Sequence, residues 1–373
     1  MNERIRGFDG LRALAVLLVF IHHKAFAQSG GLGHLGVWIF FALSGFLITN
    51  ILTTQRRAID ADASTFSAEL KRFLYRRTLR IFPIYYLLLI TLALIMTAGF
   101  AGPELAGGMP FHFAYLSNFW IADVLHYWPG RYSHLWSLSI EEQFYLVFAP
   151  LLLAVNAKWH MRICGALFVT GIVALAWMKA VDESAIAIYT HPLTNFWLLA
   201  LGGIGGALLR RGGAFKRCMK PLPVALALAA GIAMLCSREP GWENIADPMR
   251  FTILYTIYGV CIAALVCSIA CSDSRPLMRV LEWPPLAALG KISYGFYLYH
   301  GFIPDLAKSG KVIAMFGASG IPWWAHGLSV IASFLLTLTL AKLSWRFIEE
   351  PILRLKNRRF ARNAEAGRSA LSR

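Results

Sequence analysis

Residues 81–100 read IFPIYYLLLITLALIMTAGF, a run of 20 residues without a charged side chain. A helix rises about 1.5 Å per residue, so this run is about 30 Å long as a helix, which matches the hydrocarbon core of a bilayer. The basic sequence KRFLYRRTLR, residues 71–80, precedes it directly. The run therefore predicts a membrane-spanning helix that has one basic end.

The rest of the chain repeats this pattern. Of the 373 residues 57% are hydrophobic and only 15% are charged, whereas a soluble domain carries about 25% charged residues. This composition excludes an ordinary soluble enzyme, a disordered chain and a nucleic-acid-binding domain. We expect an all-α polytopic membrane protein with about ten transmembrane helices. Their predicted positions are residues 8–27, 35–53, 81–100, 138–155, 161–180, 193–209, 221–237, 251–271, 284–306 and 322–348.

The distribution of basic residues predicts the orientation of these helices. With both termini in the cytoplasm, 25 Lys and Arg residues lie on the cytoplasmic side and seven lie outside. Cytoplasmic loops of membrane proteins are enriched in Lys and Arg, so this split also explains the net charge of +16 without a nucleic-acid partner. We expect a multi-pass protein of the bacterial cytoplasmic membrane, with a membrane domain over residues 1–351 and a basic cytoplasmic tail over residues 352–373.

The six cysteines fall mostly in apolar runs, and no CxxC pair or Cys/His cluster has the spacing of a zinc site. We therefore interpret the cysteines as small apolar residues that fill the core. We expect no metal and no bound cofactor.

The first predicted helix carries ionisable residues at both ends. Arg12 and His23 are eleven residues apart, which is close to three helical turns, so both point the same way about 16 Å apart. Asp9 is placed to cap the helix start, and His22 points away from this face. A charge inside a bilayer is costly and indicates function. The alternative is that Arg12 reaches the interface and His23 only ends the helix.

A second cluster precedes the third predicted helix. If this segment is helical, Arg72, Arg76 and Arg80 form a stripe, with Arg77 beside it. Arginine binds phosphate oxygens in a bidentate manner, so the stripe suits a polyphosphate ligand. The alternative is an anchor on anionic lipids.

Two further stripes point to a site for a hydroxyl-rich substrate. The fourth predicted helix begins with a polar stripe that includes a carboxylate, and the ninth carries hydroxyls and a histidine. For the first stripe the alternative is an aromatic belt at the interface. The candidate residues are His134, Trp136, Ser137, Glu141, Glu142, Tyr145, Ser293, Tyr297 and His300.

Taken together, these segments resemble the membrane-bound acyltransferase-3 family, bacterial enzymes that acylate O-antigens, exopolysaccharides and Nod factors. The resemblance runs in order from residue 8 to about residue 351. Its motifs are FDGLR at residues 8–12, the Arg-x10-His pair Arg12 and His23, FFALSGFLI at 40–48, Arg77-x-x-Arg80 with Pro83, WSLSIEEQFY at 136–145, ISYGFYLYH at 292–300 and Glu349-x-Pro351.

The resemblance implies transfer of an acyl group, by default acetyl, from cytoplasmic acyl-CoA to a hydroxyl of a surface or lipid-linked glycan. It implies that His23 is the catalytic histidine and Arg12 its motif partner, and that Arg77 and Arg80 form the Arg-x-x-Arg motif. Trp38 departs from the charged or polar residue that relatives often carry. The chain also ends too soon for the esterase-like domain that some relatives append, so we expect transfer to finish here or on a separate protein.

The spacing of the arginines and His23 predicts a mechanism for this acyl transfer. Acyl-CoA, a co-substrate and not a bound cofactor, would dock its anionic nucleotide at Arg72, Arg76, Arg77 and Arg80. Its thioester would then reach His23, acting as a general base or as a covalent acyl relay. Glu141 or Glu142 would orient His23 or the acceptor. The alternative function is a transporter or flippase of a lipid-linked glycan, which also needs polar stripes in the membrane.

Overall fold

The computed structural model describes residues 5–25, 31–99, 103–219, 245–303 and 322–355. Within these ranges every regular element is helical and no strand occurs, which confirms the predicted fold class. The main helices are α1 (Phe8–Lys24), α2 (Leu32–Asp60), α3 (Phe66–Thr97), α4 (Pro103–Phe113), α5 (Leu135–Ala154), α6 (His160–Ala180), α7 (Leu193–Arg211), α8 (Pro248–Cys271), α9 (Pro284–Lys291), α10 (Ser293–His300) and α11 (Trp323–Ser344).

Short helical segments connect or extend these helices. They are Ser117–Phe119, Trp120–Leu125, Gly130–Tyr132, Ala157–Trp159, Ala185–Thr190, Gly213–Cys218, Arg275–Leu281 and Trp345–Glu349. Residues 350–355 are also helical, so the helix extends into the first residues of the predicted basic tail. The rest of the predicted tail lies outside the described residues.

Seven helices of the described ranges are long and apolar enough to cross a membrane: α2, α3, α5, α6, α7, α8 and α11. Each coincides with a predicted crossing, including residues 193–209, which at 17 residues is as short as any of the ten. The first predicted crossing is the helix α1, which has 17 residues. The predicted crossing at residues 221–237 lies outside the described residues.

The ninth predicted crossing, residues 284–306, is wrong as a continuous helix. It consists of α9 and α10, each of eight residues, with a break at Ile292. The break allows the two halves to pack on different partners, since α9 lies against the start of α1 and α10 lies mainly against α11. At the first of these contacts Gly290 packs on the backbone of Asp9 so closely that no side chain would fit.

Helix α2 lies at the centre of the bundle, packed against α1, α5 and α7. Its contact with α7 depends on two glycines. A Cβ atom on Gly45 would meet the carbonyl oxygen of Leu199, and one on Gly202 would meet that of Ala42. Small residues that let helix backbones approach are typical of membrane helix interfaces.

The outer faces of α3, α6 and α11 are apolar and exposed. Leu94 on α3, Val173 on α6 and Leu328 on α11 are each about 60% exposed or more. Polar residues lie instead in the interior, among α1, α2, α3, α5 and α10. This inside-out distribution is that of a protein surrounded by lipid.

Candidate active site

Two cavities lie one after the other in the bundle interior. The first, here called the arginine cavity, is about 110 Å³ and is lined by Arg12, Arg77 and Arg80. The second, the histidine cavity, is about 640 Å³ and is lined by His22, His23 and His134, among others. Val37 and Tyr297 contribute to the walls of both cavities.

Arg12 reaches the arginine cavity from the first full turn of α1. Its Nη1 lies 3.1 Å from Asp9 Oδ1, and its side chain is largely buried. The prediction that Asp9 caps the helix is wrong, because the N-cap is Gly7, at a φ of 80°, and no side chain caps it. Asp9 instead forms an ion pair that lowers the cost of placing the Arg12 guanidinium inside the bundle.

The predicted arginine stripe is helical, but only its second half lines the cavity. Arg77 and Arg80 lie on the cavity wall, and the guanidinium of Arg77 lies 5.2 Å from the Tyr145 ring centroid. Arg72 forms an ion pair of 2.8 Å with Glu69, and neither Arg72 nor Arg76 lies on the wall. Tertiary packing thus groups Arg12 from α1 with two of the four predicted arginines.

Glu141 supplies a carboxylate to the same wall. The Tyr145 hydroxyl donates to Glu141 Oε2 over 3.1 Å, and its oxygen lies 2.6 Å from Ser44 Oγ. Glu141 therefore belongs to the arginine cavity, whereas His23 lines the histidine cavity. Its neighbour Glu142 is buried but lines neither cavity.

One contact of His23 is with another histidine. Its Nδ1 lies 2.9 Å from His300 Nε2, and the two rings stack with centroids 5.1 Å apart. His300 is fully buried at the end of α10 and lies on the wall of neither cavity. His22, predicted to point elsewhere, also lines the histidine cavity.

Tyr297 separates the two cavities. Its hydroxyl lies 2.6 Å from Ser137 Oγ, which faces the arginine cavity, and donates to the backbone oxygen of His134 over 3.2 Å. His134 faces the histidine cavity, and its Nε2 donates to the oxygen of Leu298 over 3.0 Å. The polar ends of α5 and α10 are therefore joined at this wall.

The remaining predicted site residues divide between the cavities. Ser293 and Tyr145 line the arginine cavity, and Trp136 lines the histidine cavity. Trp38, the predicted departure from the family, lies in neither, because it is buried against Trp197 and Tyr255.

Several residues of the site were not predicted. Ser44 lies in the arginine cavity, and Lys24, His34, Trp128 and Tyr189 line the histidine cavity. Lys24 directly follows His23, so its position in the sequence could have identified it. The other residues of the histidine cavity come from distant segments whose packing has no local signal in the sequence.

The described residues contain no group of three metal-ligating side chains placed to hold one ion. His23, His134 and His300 are neighbours. However, His134 Nε2 and His300 Nδ1 both donate hydrogen bonds to backbone oxygens, so these two nitrogens do not face a metal ion.

Residues 5–342 match the family described as the acyltransferase domain, acyltransferase 3. The peptidoglycan O-acetyltransferase OatA of Listeria monocytogenes is 32% identical over 94% of this chain and 56% of its own length. The O-acetyltransferase OatA of Staphylococcus aureus is 31% identical over 95% of this chain and 58% of its own length. The chain thus spans little more than half the length of these relatives, and no solved structure matches it.

Proposed function

The chain belongs to the acyltransferase-3 family, and we propose that it is a membrane O-acetyltransferase that uses cytoplasmic acetyl-CoA to acetylate a hydroxyl of a cell-envelope glycan. The observation that carries the proposal is the pair of adjoining cavities, one with three arginines and the other with His23. The name of the Listeria relative favours peptidoglycan over an O-antigen or exopolysaccharide as the acceptor. In this proposal the protein spans the bacterial cytoplasmic membrane ten times, with both termini in the cytoplasm.

The arginine cavity is the proposed donor site. Arg12, Arg77 and Arg80 converge there from two helices, and guanidinium groups are well matched to phosphate oxygens. Its volume of about 110 Å³ is smaller than the 300–1,000 Å³ that is typical of ligand pockets. We therefore assign to it one phosphate group or the thiol arm of acetyl-CoA, and not the whole nucleotide.

The histidine cavity is the proposed acceptor site. Its volume of about 640 Å³ falls within the usual range of ligand pockets. Trp128, Trp136 and Tyr189 line it, and aromatic rings offer apolar faces against which sugar rings can pack. A glycan hydroxyl in this cavity would lie beside His23.

In direct transfer, His23 accepts the proton of the acceptor hydroxyl while the hydroxyl oxygen attacks the thioester carbonyl. The C–S bond then breaks, and the proton passes from His23 to the departing thiolate. In the relay route His23 itself attacks the thioester carbonyl, the C–S bond breaks and the thiolate leaves. The acceptor hydroxyl then attacks the acetyl group on His23, the N–acetyl bond breaks, and the hydroxyl proton passes to the thiolate. Both routes use the same imidazole nitrogen.

The experiment uses the purified full chain in proteoliposomes, with radiolabelled acetyl-CoA on one side and peptidoglycan glycan strands on the other. We expect O-acetylated strands from the wild type and a loss of at least about 100-fold in the His23→Ala variant, since general bases contribute 10²–10⁴-fold. The matched control is His326→Ala, because His326 lies outside both cavities.

Three outcomes would contradict the proposal. One is retained transfer in His23→Ala, and another is an equal loss in both variants. The third is movement of glycan across the membrane without consumption of acetyl-CoA, which would identify a transporter.

A further inference from the structure

We propose that His300 is a positioning residue that holds His23 in one tautomer, with its Nε2 as the reactive nitrogen. The proposal rests on the proposed function for its kinetic test but makes a structural prediction of its own. It replaces the role in acceptor binding that the sequence predicted for His300.

His300 is the last residue of α10. His300 Nδ1 lies 2.5 Å from the backbone oxygen of Tyr297, three residues earlier. The last carbonyls of a helix lack partners within the helix, and a carbonyl oxygen can only accept a hydrogen bond. His300 Nδ1 must therefore carry the hydrogen.

The other nitrogen of the same ring is His300 Nε2. A charged imidazole would be costly at the fully buried His300. In the neutral ring only one nitrogen carries a hydrogen, so His300 Nε2 is an acceptor. The group that faces it at 2.9 Å is His23 Nδ1, which must then be the donor.

These contacts fix the tautomer of His23. With its hydrogen on Nδ1, neutral His23 has its lone pair on Nε2, and this nitrogen can take a proton or attack a thioester. When Nε2 takes a proton, the hydrogen bond to His300 is kept and becomes charge-assisted. The C-terminal end of α10, which carries partial negative charge, also favours the cation that forms on His23.

A second contact fixes the same helix end. His134 Nε2 donates to the oxygen of Leu298, and the rings of His134 and His300 are 4.9 Å apart. Lys24 Nζ donates to the oxygen of Ile303 over 2.5 Å. Lys24 on α1 and His134 at the start of α5 therefore bind the carbonyls of Ile303 and Leu298. These contacts hold the end of α10, and with it the ring of His300, in place.

A protonated His300 would reverse this arrangement. With hydrogens on both nitrogens, its Nε2 could only donate, so His23 Nδ1 would have to accept and neutral His23 would carry its hydrogen on Nε2. That tautomer cannot act as a base at Nε2. Among the described residues, the titratable or charged side chains around the pair include His22, Lys24, His134 and Tyr297.

The first test reads the tautomer directly by ¹⁵N NMR of histidine-labelled protein in nanodiscs. We expect the His23 signals to show a hydrogen on Nδ1 in the wild type and a mixture of both tautomers in His300→Phe. A wild-type His23 with its hydrogen on Nε2 would overturn the proposal, even if transferase activity were absent.

The second test separates kcat from KM for acetyl transfer. We expect His300→Phe to lower kcat about 100-fold with KM for acetyl-CoA changed less than about threefold. His300→Gln should recover much of the loss, because its amide can both donate to Tyr297 and accept from His23.

The matched control is His112→Phe, since His112 is also fully buried and hydrogen-bonded, to Ser117 over 2.7 Å, but lines neither cavity. An equal loss of kcat in His112→Phe, or no recovery in His300→Gln, would show that His300 has only a structural role. An inactive wild type whose His23 carries its hydrogen on Nδ1 would contradict the proposed function and leave the positioning role supported.

Discussion

The arginine cavity and the histidine cavity differ in size and in the kind of side chain that dominates their walls. The arginine cavity is small, about 110 Å³, and has three guanidinium groups on its wall with the carboxylate of Glu141. The histidine cavity is about 640 Å³, and its aromatic side chains come from distant segments. A phosphate-bearing donor and a sugar acceptor would suit this division, because guanidinium groups match phosphate oxygens whereas a wide cavity with aromatic walls suits a sugar ring.

The largest effect is expected at the arginine cavity. Arg80→Ala should raise KM for acetyl-CoA about 10–100-fold, since a hydrogen bond to a charged group contributes about 1.5–3 kcal/mol. KM for the glycan should change little. Steady-state kinetics with each substrate varied in turn would measure both values.

Arg72→Ala is the matched control on the same helix, because Arg72 pairs with Glu69 and lies off the cavity wall. If Arg72→Ala raised KM as much as Arg80→Ala, the whole predicted stripe would bind the donor and the cavity would not define the site.

An intermediate effect is expected at the histidine cavity. Trp128→Ala should raise KM for the glycan about 3–10-fold without changing KM for acetyl-CoA, since an aromatic contact contributes about 0.5–1.5 kcal/mol. Trp128 is 40% exposed, so its removal should cost little stability. The control is Trp177→Ala, an exposed tryptophan on α6 outside both cavities. A change in the donor KM instead would reverse the assignment of the two cavities.

The smallest effect is expected at the wall between the cavities. Tyr297→Phe keeps the ring but removes the hydroxyl that contacts Ser137 and the His134 backbone. We expect the ratio of acetyl-CoA hydrolysis to transfer to rise about threefold, because a loosened wall admits water to the thioester. The measurement compares free acetate with O-acetylated glycan. Tyr299→Phe, which loses a hydroxyl bonded to Ser344, is the control.

The sequence was most informative where a pattern is local. Residues 81–100 predicted a membrane helix from length and polarity alone, and α3 covers all but the last three of them, ending at Thr97. The stripe of arginines required its segment to be helical, and α3 begins early enough, at Phe66, to include all of it. Such patterns depend only on the repeat of one helix, which is the same in every context.

The sequence was less informative where two segments had to meet. It predicted one helix at residues 284–306, but the break at Ile292 sends α9 and α10 to different partners. It also offered Glu141 or Glu142 as the residue that orients His23 or the acceptor, whereas the structure places His300 Nε2 at 2.9 Å from His23 Nδ1. A carboxylate near a histidine is a reasonable prediction from chemistry, but only the packing of the helices decides which side chain lies beside the histidine.

The amino-acid sequence alone therefore determined that this chain is a helical membrane protein and that Arg12 and His23 are spaced to share one face of α1. The tertiary structure decided that Arg12 joins Arg77 and Arg80, that two cavities meet at Tyr297, and that His23 pairs with a histidine 277 residues away. The physical reason is that helical periodicity acts over a few turns, whereas the contact between helices depends on how side chains of the whole bundle fit together.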